Sequence, residues 1–350
     1  MVRMIEAIKV ERFRGLKHLE VEGFGRANLI LGKNNCGKTA LMEALWIGGE
    51  PALATNLAVS CQQARNPSMP VSDFERFWRP LFWKQDADRG LALKVRFAKG
   101  RRTSVELRKS QVRSLFIEDK AAPGALARAS WTIDVLTEQD GQELKDKIVG
   151  SPVGVQLPSI ENENSIWIRA TPGVGEIEVR NFSNLKQADR EAELSTLLRE
   201  IDADVSGIEL LSPTGTNAEL FVRLVQHDGP SLPMSMMGEG FQRCFEIGVS
   251  AVAGDLSTLF IDEIDNGLHH SALTHVWRWL ASVSAKCNLQ VFATTHSEEC
   301  IAAASRAFTE ANDDGLRVIR LDRSQDKTVA AVYNRDLVET AIAADVEIRG

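Results

Sequence analysis

One run of eight residues constrains this chain more than any other: Gly32-Lys33-Asn34-Asn35-Cys36-Gly37-Lys38-Thr39. It matches G-x-x-x-x-G-K-[ST]. The apolar run Ala27–Leu31 before it, and the helical spacing of Leu41, Ala44 and Leu45 after it, place it between a strand and a helix. Such a turn closes backbone N–H groups around phosphates, and the helix N-terminus adds partial positive charge. Lys38 is placed to reach the β- and γ-phosphates, and Thr39 to ligate Mg2+. The expectation is a nucleoside triphosphate site, with ATP and Mg2+ as its occupants.

A second apolar run, Leu259-Phe260-Ile261, ends in Asp262-Glu263. Continuous apolar runs suit parallel strands buried on both faces, and ligands bind beyond the carboxyl ends of such strands. Asp262 would hold Mg2+ through water there, while Glu263 would orient and polarise the attacking water. A third run, Gln290–Thr294, leads to Thr295-His296-Ser297, which suits His296 to sense a γ-phosphate. Lys38, Glu263 and His296 form the expected catalytic set.

After Gly238 the pattern alternates regularly: helix over 240–252, strand 259–262, helix 271–284, strand 290–294, helix 297–307, then a hairpin of 316–321 and 328–333. Before it, 5–10 and 18–21 read as strands, and 92–97, 103–108 and 131–136 as antiparallel strands joined by polar turns. Residues 51–90 read as helices broken at proline, 137–165 as an irregular surface insertion, and 190–201 as an amphipathic helix. The predicted class is α/β, a P-loop NTPase. An N-terminal mixed β lobe spans 1–136, a variable insertion and helical segment 137–204, and a C-terminal parallel α/β lobe 205–350.

Hydrophobic residues at 44% and charged residues at 25% describe a chain able to bury a core. No apolar run approaches the ~18 residues of a membrane span, and Glu6 and Glu11 interrupt any signal-peptide core. Five cysteines without a CxxC fit neither a disulfide framework nor a zinc site. A cytoplasmic protein with no membrane partner is the expectation. With 41 basic against 48 acidic residues the net charge is −7, so a nucleic-acid contact must be a local patch. The one basic stretch is 94–113, carrying Lys94, Arg96, Lys99, Arg101, Arg102, Arg108, Lys109 and Arg113. It reads either as a hairpin gripping DNA phosphates or as the solvated face of an antiparallel sheet.

These motifs, in this order, resemble the ABC-type ATPases of the SMC, RecF and OLD group, and within it the bacterial stand-alone AAA family ATPases related to the ATPase half of OLD nucleases. The strings that carry the resemblance are Phe13-Arg14-Gly15, the run from Asp262 to His269, and the run from Ala293 to Cys300. The resemblance implies an ABC-type head that hydrolyses ATP as a sandwich homodimer, each nucleotide lying between one copy's P-loop and the other's signature loop. The signature corresponds to Ser235-Met236-Met237-Gly238-Glu239-Gly240-Phe241-Gln242-Arg243, wider by two methionines than Leu-Ser-Gly-Gly-Gln. Ser235, Gly238, Glu239, Gly240 and Arg14 thereby join Gly32 to Thr39 as expected nucleotide contacts, and Asp265 falls in the loop that crosses the interface. The family also implies a glutamine at the metal after the first lobe's strands; Gln85 is the expectation, ahead of Gln62 and Gln63. A separate effector, a nuclease or toxin in bacterial phage defence, is the implied partner.

Between Thr39 and Ser235 there is no heptad period, which excludes SMC-type arms. The residues after Ser297 read as helix, hairpin and helix, too few for a Toprim nuclease domain. Two rivals stand beside the switch reading: a RecF-like repair ATPase acting directly on DNA, and a nucleotide-sensing scaffold with little turnover.

Overall fold

The computed structural model describes residues 4–344, apart from 113–115, 119–125, 152–153, 158–164, 172, 214, 216, 227–228 and 255. Strands β1 (Ile5–Phe13), β2 (Leu16–Glu22) and β3 (Ala27–Leu31) lead through the P-loop into helices α1 (Lys38–Gly49) and α2 (Ala54–Arg65). Short helical turns over 74–85 precede β4 (Leu91–Phe97), β5 (Arg102–Ser110), the small hairpin β6 (Phe116–Glu118) and β7 (Leu126–Arg128), and then β8 (Trp131–Gln139), β9 (Gln142–Ser151), β10 (Gly154–Gln156) and β11 (Ser165–Ile168). Helices α3 (Glu176–Gln187) and α4 (Glu191–Ile201) are followed by β12 (Val205–Leu211), β13 (Glu219–Leu224) and β14 (Leu232–Pro233). The last third alternates through α5 (Glu239–Val252), β15 (Thr258–Ile261), α6 (His270–Cys287), β16 (Gln290–Thr294), α7 (Glu298–Glu310), β17 (Leu316–Ser324), β18 (Lys327–Asn334) and α8 (Arg335–Ala343).

Two sheets position the site. One has the order β10-β9-β8-β5-β4-β1-β2 and is antiparallel throughout; the other runs β11-β15-β16-β3-β17-β18, with only β18 antiparallel to its neighbour. Every residue of β3, β15 and β16 is buried. Because side chains alternate faces along a strand, each of these strands feeds two cores. Leu29, Leu31, Leu259, Ile261, Val291 and Ala293 pack with α5, α6 and α7, whereas Ile30, Phe260 and Phe292 pack with α1, α2 and the antiparallel sheet. Register aligns Trp167, Phe260 and Phe292 across three neighbouring strands, stacked at centroid distances of 5.6 and 5.4 Å. Burying each of these rings stabilises the fold by about 2–3 kcal/mol.

The two sheets are joined by a buried amide. Gln290 accepts the Ile5 N–H at 2.7 Å and donates to the carbonyls of Ile5 and Gly25 at 2.8 and 2.7 Å. The aromatic cluster of 74–82 is core as well, with Phe74 and Trp78 packed against Trp131.

The stretch 137–165, read from sequence as an irregular insertion, instead contains most of the β8–β9 hairpin and reaches the start of β11. The reason is burial: residues 142–147 of β9 are exposed one after another and carry no alternating signal. β17 also differs, pairing in parallel with β3 on one side while it forms the expected hairpin with β18 on the other.

Candidate functional site

The P-loop is built by backbone geometry only glycine supplies. Gly32 has φ +138, and a Cβ there would lie 2.4 Å from the Leu321 carbonyl oxygen; Gly37 has φ +110 at the N-cap of α1, with the Leu16 side chain 2.8 Å from its missing Cβ. Cys36 fills the space beside Gly32, and burial pushes its thiol pKa up, so it packs rather than reacts. Lys33 and Asn34 stand exposed on the loop, while Asn35, at φ +63, has its carbonyl held by Arg323 at 3.1 Å. Lys38 folds back over the loop, donating from Nζ to the carbonyls of Gly32 (2.8 Å) and Lys33 (3.2 Å). Burial lowers its pKa, while Cys36, Asp262 and Glu263 pull it back up. An ammonium that partly desolvated gains most from an incoming polyphosphate.

The end of β15 is cross-braced from three sides. The Asp262 N–H donates to the Ile168 carbonyl of β11 at 2.9 Å. On the β16 side, the Thr294 hydroxyl donates to Asp262 Oδ1 at 2.6 Å and accepts the Glu263 N–H at 2.8 Å. From α5, the fully buried Arg243 donates to the carbonyls of Arg169 (2.6 Å), Asp262 (2.7 Å) and Glu263 (3.3 Å), and pairs with Glu246 at 2.9 Å. These bonds hold Glu263 at φ +47, a conformation costly for a non-glycine residue. Its carboxylate stands exposed at the strand end. Asp265 accepts from the Thr295 hydroxyl, and half-buried His296 follows directly.

Thr39 and Asp262 line one cavity of about 310 Å3, together with Glu43, Arg65, Trp167 and Arg169. A hydroxyl and a carboxylate are hard oxygen donors of the kind Mg2+ takes, in a site completed by phosphate oxygens and water. Among the described residues no three His, Cys, Asp or Glu side chains converge on a point.

Ser235, Gly238 and Glu239 are exposed, Gly240 is half-buried, and the neighbouring Met236 is 73% exposed. Gly238 caps the N-terminus of α5 without a side-chain bond. Ser235 lines a different cavity, of about 740 Å3, between α3 and the β12–β13–β14 sheet. The loop nevertheless touches the turn that follows Glu263: a Cβ on Gly240 would lie 2.9 Å from the Gly267 carbonyl oxygen.

Two expected contacts stand elsewhere. Arg14 is buried with its guanidinium donating to Gln62 at 2.8 Å and pairing with Glu43, which also accepts from Arg65 at 3.1 Å. Burial lowers the Arg14 pKa against the pull of Glu43. It therefore braces α1 against α2, one turn beyond Thr39. Gln85 is exposed next to Lys84, which pairs with Asp326 at 2.7 Å, and it is not on the wall of the Thr39–Asp262 cavity. Gln62 bonds Arg14 and the Phe77 carbonyl, and Gln63 is exposed. The strand end beside Asp262 belongs instead to β11, followed by Arg169, Ala170 and Thr171. Sequence reading passed over Arg169, and took in Arg243 only as the last residue of the signature string, without a role of its own.

The basic stretch is a sheet face interleaved with acids. Arg96 approaches Glu6 and Glu22, Arg101 pairs with Asp140 at 3.1 Å, and Lys109 lies over the Phe74 ring. Arg113 lies outside the described residues. No described helix is long and apolar enough to cross a membrane.

Residues 152–302 match the model of an AAA domain described as a candidate AbiEii toxin of a type IV toxin–antitoxin system, and residues 4–50 match an AAA ATPase domain. The chain is 22% identical over 345 residues to an ATP/GTP phosphatase of Helicobacter pylori, covering 88% of this chain and 89% of that one. A 42-residue segment is 48% identical to an uncharacterized protein of Methanocaldococcus jannaschii, covering 12% and 19% of the two chains. Two solved structures share the fold. One is an SMC head bound to the C-terminal winged-helix domain of ScpA (TM-score 0.50, 10% identity, 95% and 98% coverage). The other is an SMC head with an extended coiled coil, bound to the C-terminal domain of ScpA, from Pyrococcus furiosus (TM-score 0.51, 9% identity, 98% and 99% coverage).

Proposed function

We propose that this chain, a P-loop ATPase of the ABC and SMC-head type, is a nucleotide-driven switch in which ATP joins two copies and hydrolysis releases them. That it hydrolyses ATP follows from the ATPase domains it matches and its homology to an ATP/GTP phosphatase. The observation that carries the two-copy reading is a separation. Thr39 and Asp262, the side chains expected at the metal, line one cavity, while Ser235 of the signature loop lines another. An exposed Gly-rich helix start is a donor set for phosphate, and a second copy can present it to the P-loop of the first. In this cycle Lys38 and the loop backbone hold the phosphates, Thr39 and Asp262 hold Mg2+, and Glu263 orients the water whose oxygen attacks the γ-phosphorus. His296 senses the γ-phosphate.

The output is a separate protein effector, of nuclease or toxin type. The toxin–antitoxin description of the matched model and the ScpA fragments bound to the SMC heads support a protein partner rather than DNA. The interleaved acids on the basic face weaken the repair-type reading.

Glu263→Gln tests the switch. Turnover should fall on the order of 1,000-fold, while ATP with Mg2+ should shift the variant from monomer to dimer by light scattering, a shift absent in Lys38→Ala. A Glu263→Gln protein that binds ATP and stays monomeric would sink the switch. Wild-type turnover in that variant would remove Glu263 from the chemistry.

A further inference from the structure

β11 pairs in parallel with β15, placing Ile168 opposite Ile261, so Arg169 follows at the strand end beside Asp262. The backbone at this point is fixed from both directions. The Arg169 carbonyl accepts from Arg243 at 2.6 Å, and the next carbonyl, of Ala170, accepts from Asn266 at 2.8 Å. The side chain is free by contrast: it lines the cavity of Thr39 and Asp262, and among the described residues it has no hydrogen-bond or ion-pair partner.

The surrounding charges show what it is for. Arg65, the other guanidinium on this wall, is already bonded to Glu43, whose carboxylate Arg14 shares. Asp262 accepts from Thr294 and lines the same cavity. Among the described residues no glutamine lines the cavity. A guanidinium that lines the same cavity as the Asp262 carboxylate, yet is not paired with it, is available to a third group carrying several anionic oxygens, and its planar fork matches phosphate.

We propose that Arg169 is a catalytic residue of this ATPase, a guanidinium supplied in cis that binds the terminal phosphate beside Thr39 and Asp262. The inference rests on the reading of this cavity as the metal and γ-phosphate end of the ATP site. Arg169 takes no proton and forms no covalent bond. As the water oxygen bonds to the γ-phosphorus and the bond to the ADP oxygen breaks, it stabilises the negative charge on the transferring group, and the water's proton leaves by way of Glu263. Such an arginine gains more from the transition state than from the ground state, so its removal should act on kcat more than on nucleotide affinity.

The test compares wild type, Arg169→Ala and Arg169→Lys by calorimetric binding of ADP, and of ADP with aluminium fluoride, both with Mg2+, alongside steady-state turnover. Arg169→Ala should bind ADP within about 3-fold of wild type, yet lose affinity for ADP with aluminium fluoride on the order of 100-fold, with a matching fall in kcat. Arg169→Lys, which keeps the charge but not the fork, should recover part of both. Wild-type affinity of Arg169→Ala for the fluoride complex, or unchanged kcat, overturns the proposal while leaving the ATP site standing. Should Arg169→Ala lose ADP binding as well, Arg169→Lys decides: equal loss of ADP and fluoride-complex affinity there makes Arg169 structural and overturns the proposal. A wild-type protein that binds neither ligand overturns the site reading and this inference together.

Discussion

Helix α5 begins at one of the least supported places in the molecule and, one turn later, enters one of the most supported. At Gly238 to Gly240 the chain is largely open to solvent and its N-cap lacks a side-chain bond. At Arg243 the same helix is fully buried and holds three carbonyls and a carboxylate. The Asp262–Glu263 corner is braced within the chain, whereas the start of α5 is left open to solvent. One helix spans both, so Arg243 ties the open end to the corner.

The strongest way to break this contrast is Arg243→Ala. It strands Glu246 and the carbonyls of Asp262 and Glu263 in the interior, and should cost about 3–5 kcal/mol of folding stability, read from the denaturant midpoint. A midpoint equal to wild type would mean the corner is not braced from α5. Next comes Glu246, whose carboxyl burial pushes up to about 7 against the pull of Arg243. Its folded pKa lies above its unfolded one, so the folded chain binds the extra proton. The stability this adds is fully present below the unfolded value and fades as pH rises toward about 7. Glu246→Gln should therefore flatten the melting-temperature profile between about pH 5 and 7, and a profile parallel to wild type would contradict the shift. The smallest stability effect belongs to the open end. Gly238 has φ −58 and nothing within 4 Å of an added Cβ, so Gly238→Ala should leave the monomer within about 0.5 kcal/mol of wild type. It should still weaken ATP-driven self-association in sedimentation runs. If it alters neither, the signature loop does not meet a partner's nucleotide.

Buried parallel strands were legible almost to the residue: Ala27–Leu31 and Gln290–Thr294 are strands over the expected ranges, and the helix after Gly238 ends at Val252 as its spacing implied. Each is apolar because both its faces, or one continuous stripe, meet core. What sequence could not convey was non-local neighbourhood. β11 has only four residues, and its meaning lies in pairing with a strand some ninety positions later. Gln85 drew the metal expectation because the family resemblance implies a glutamine after the first lobe's strands, whereas the position beside Asp262 is set by sheet order. Arg14, in a string shared with nucleotide sites, is instead consumed by Glu43 and Gln62 on two helices behind the loop.

The place of β3 has a consequence for how the protein comes into being. Its five residues are flanked by β16 and β17, partners made hundreds of positions later. Closing such long loops is slow and entropically costly. A nascent chain emerging from the ribosome therefore carries its phosphate-binding sequence early but has no sheet to mount it on until residues 316–320 have been translated. Products truncated before β17 lack the sheet that mounts the P-loop, so this strand order makes a supported phosphate-binding loop one of the last things the chain acquires.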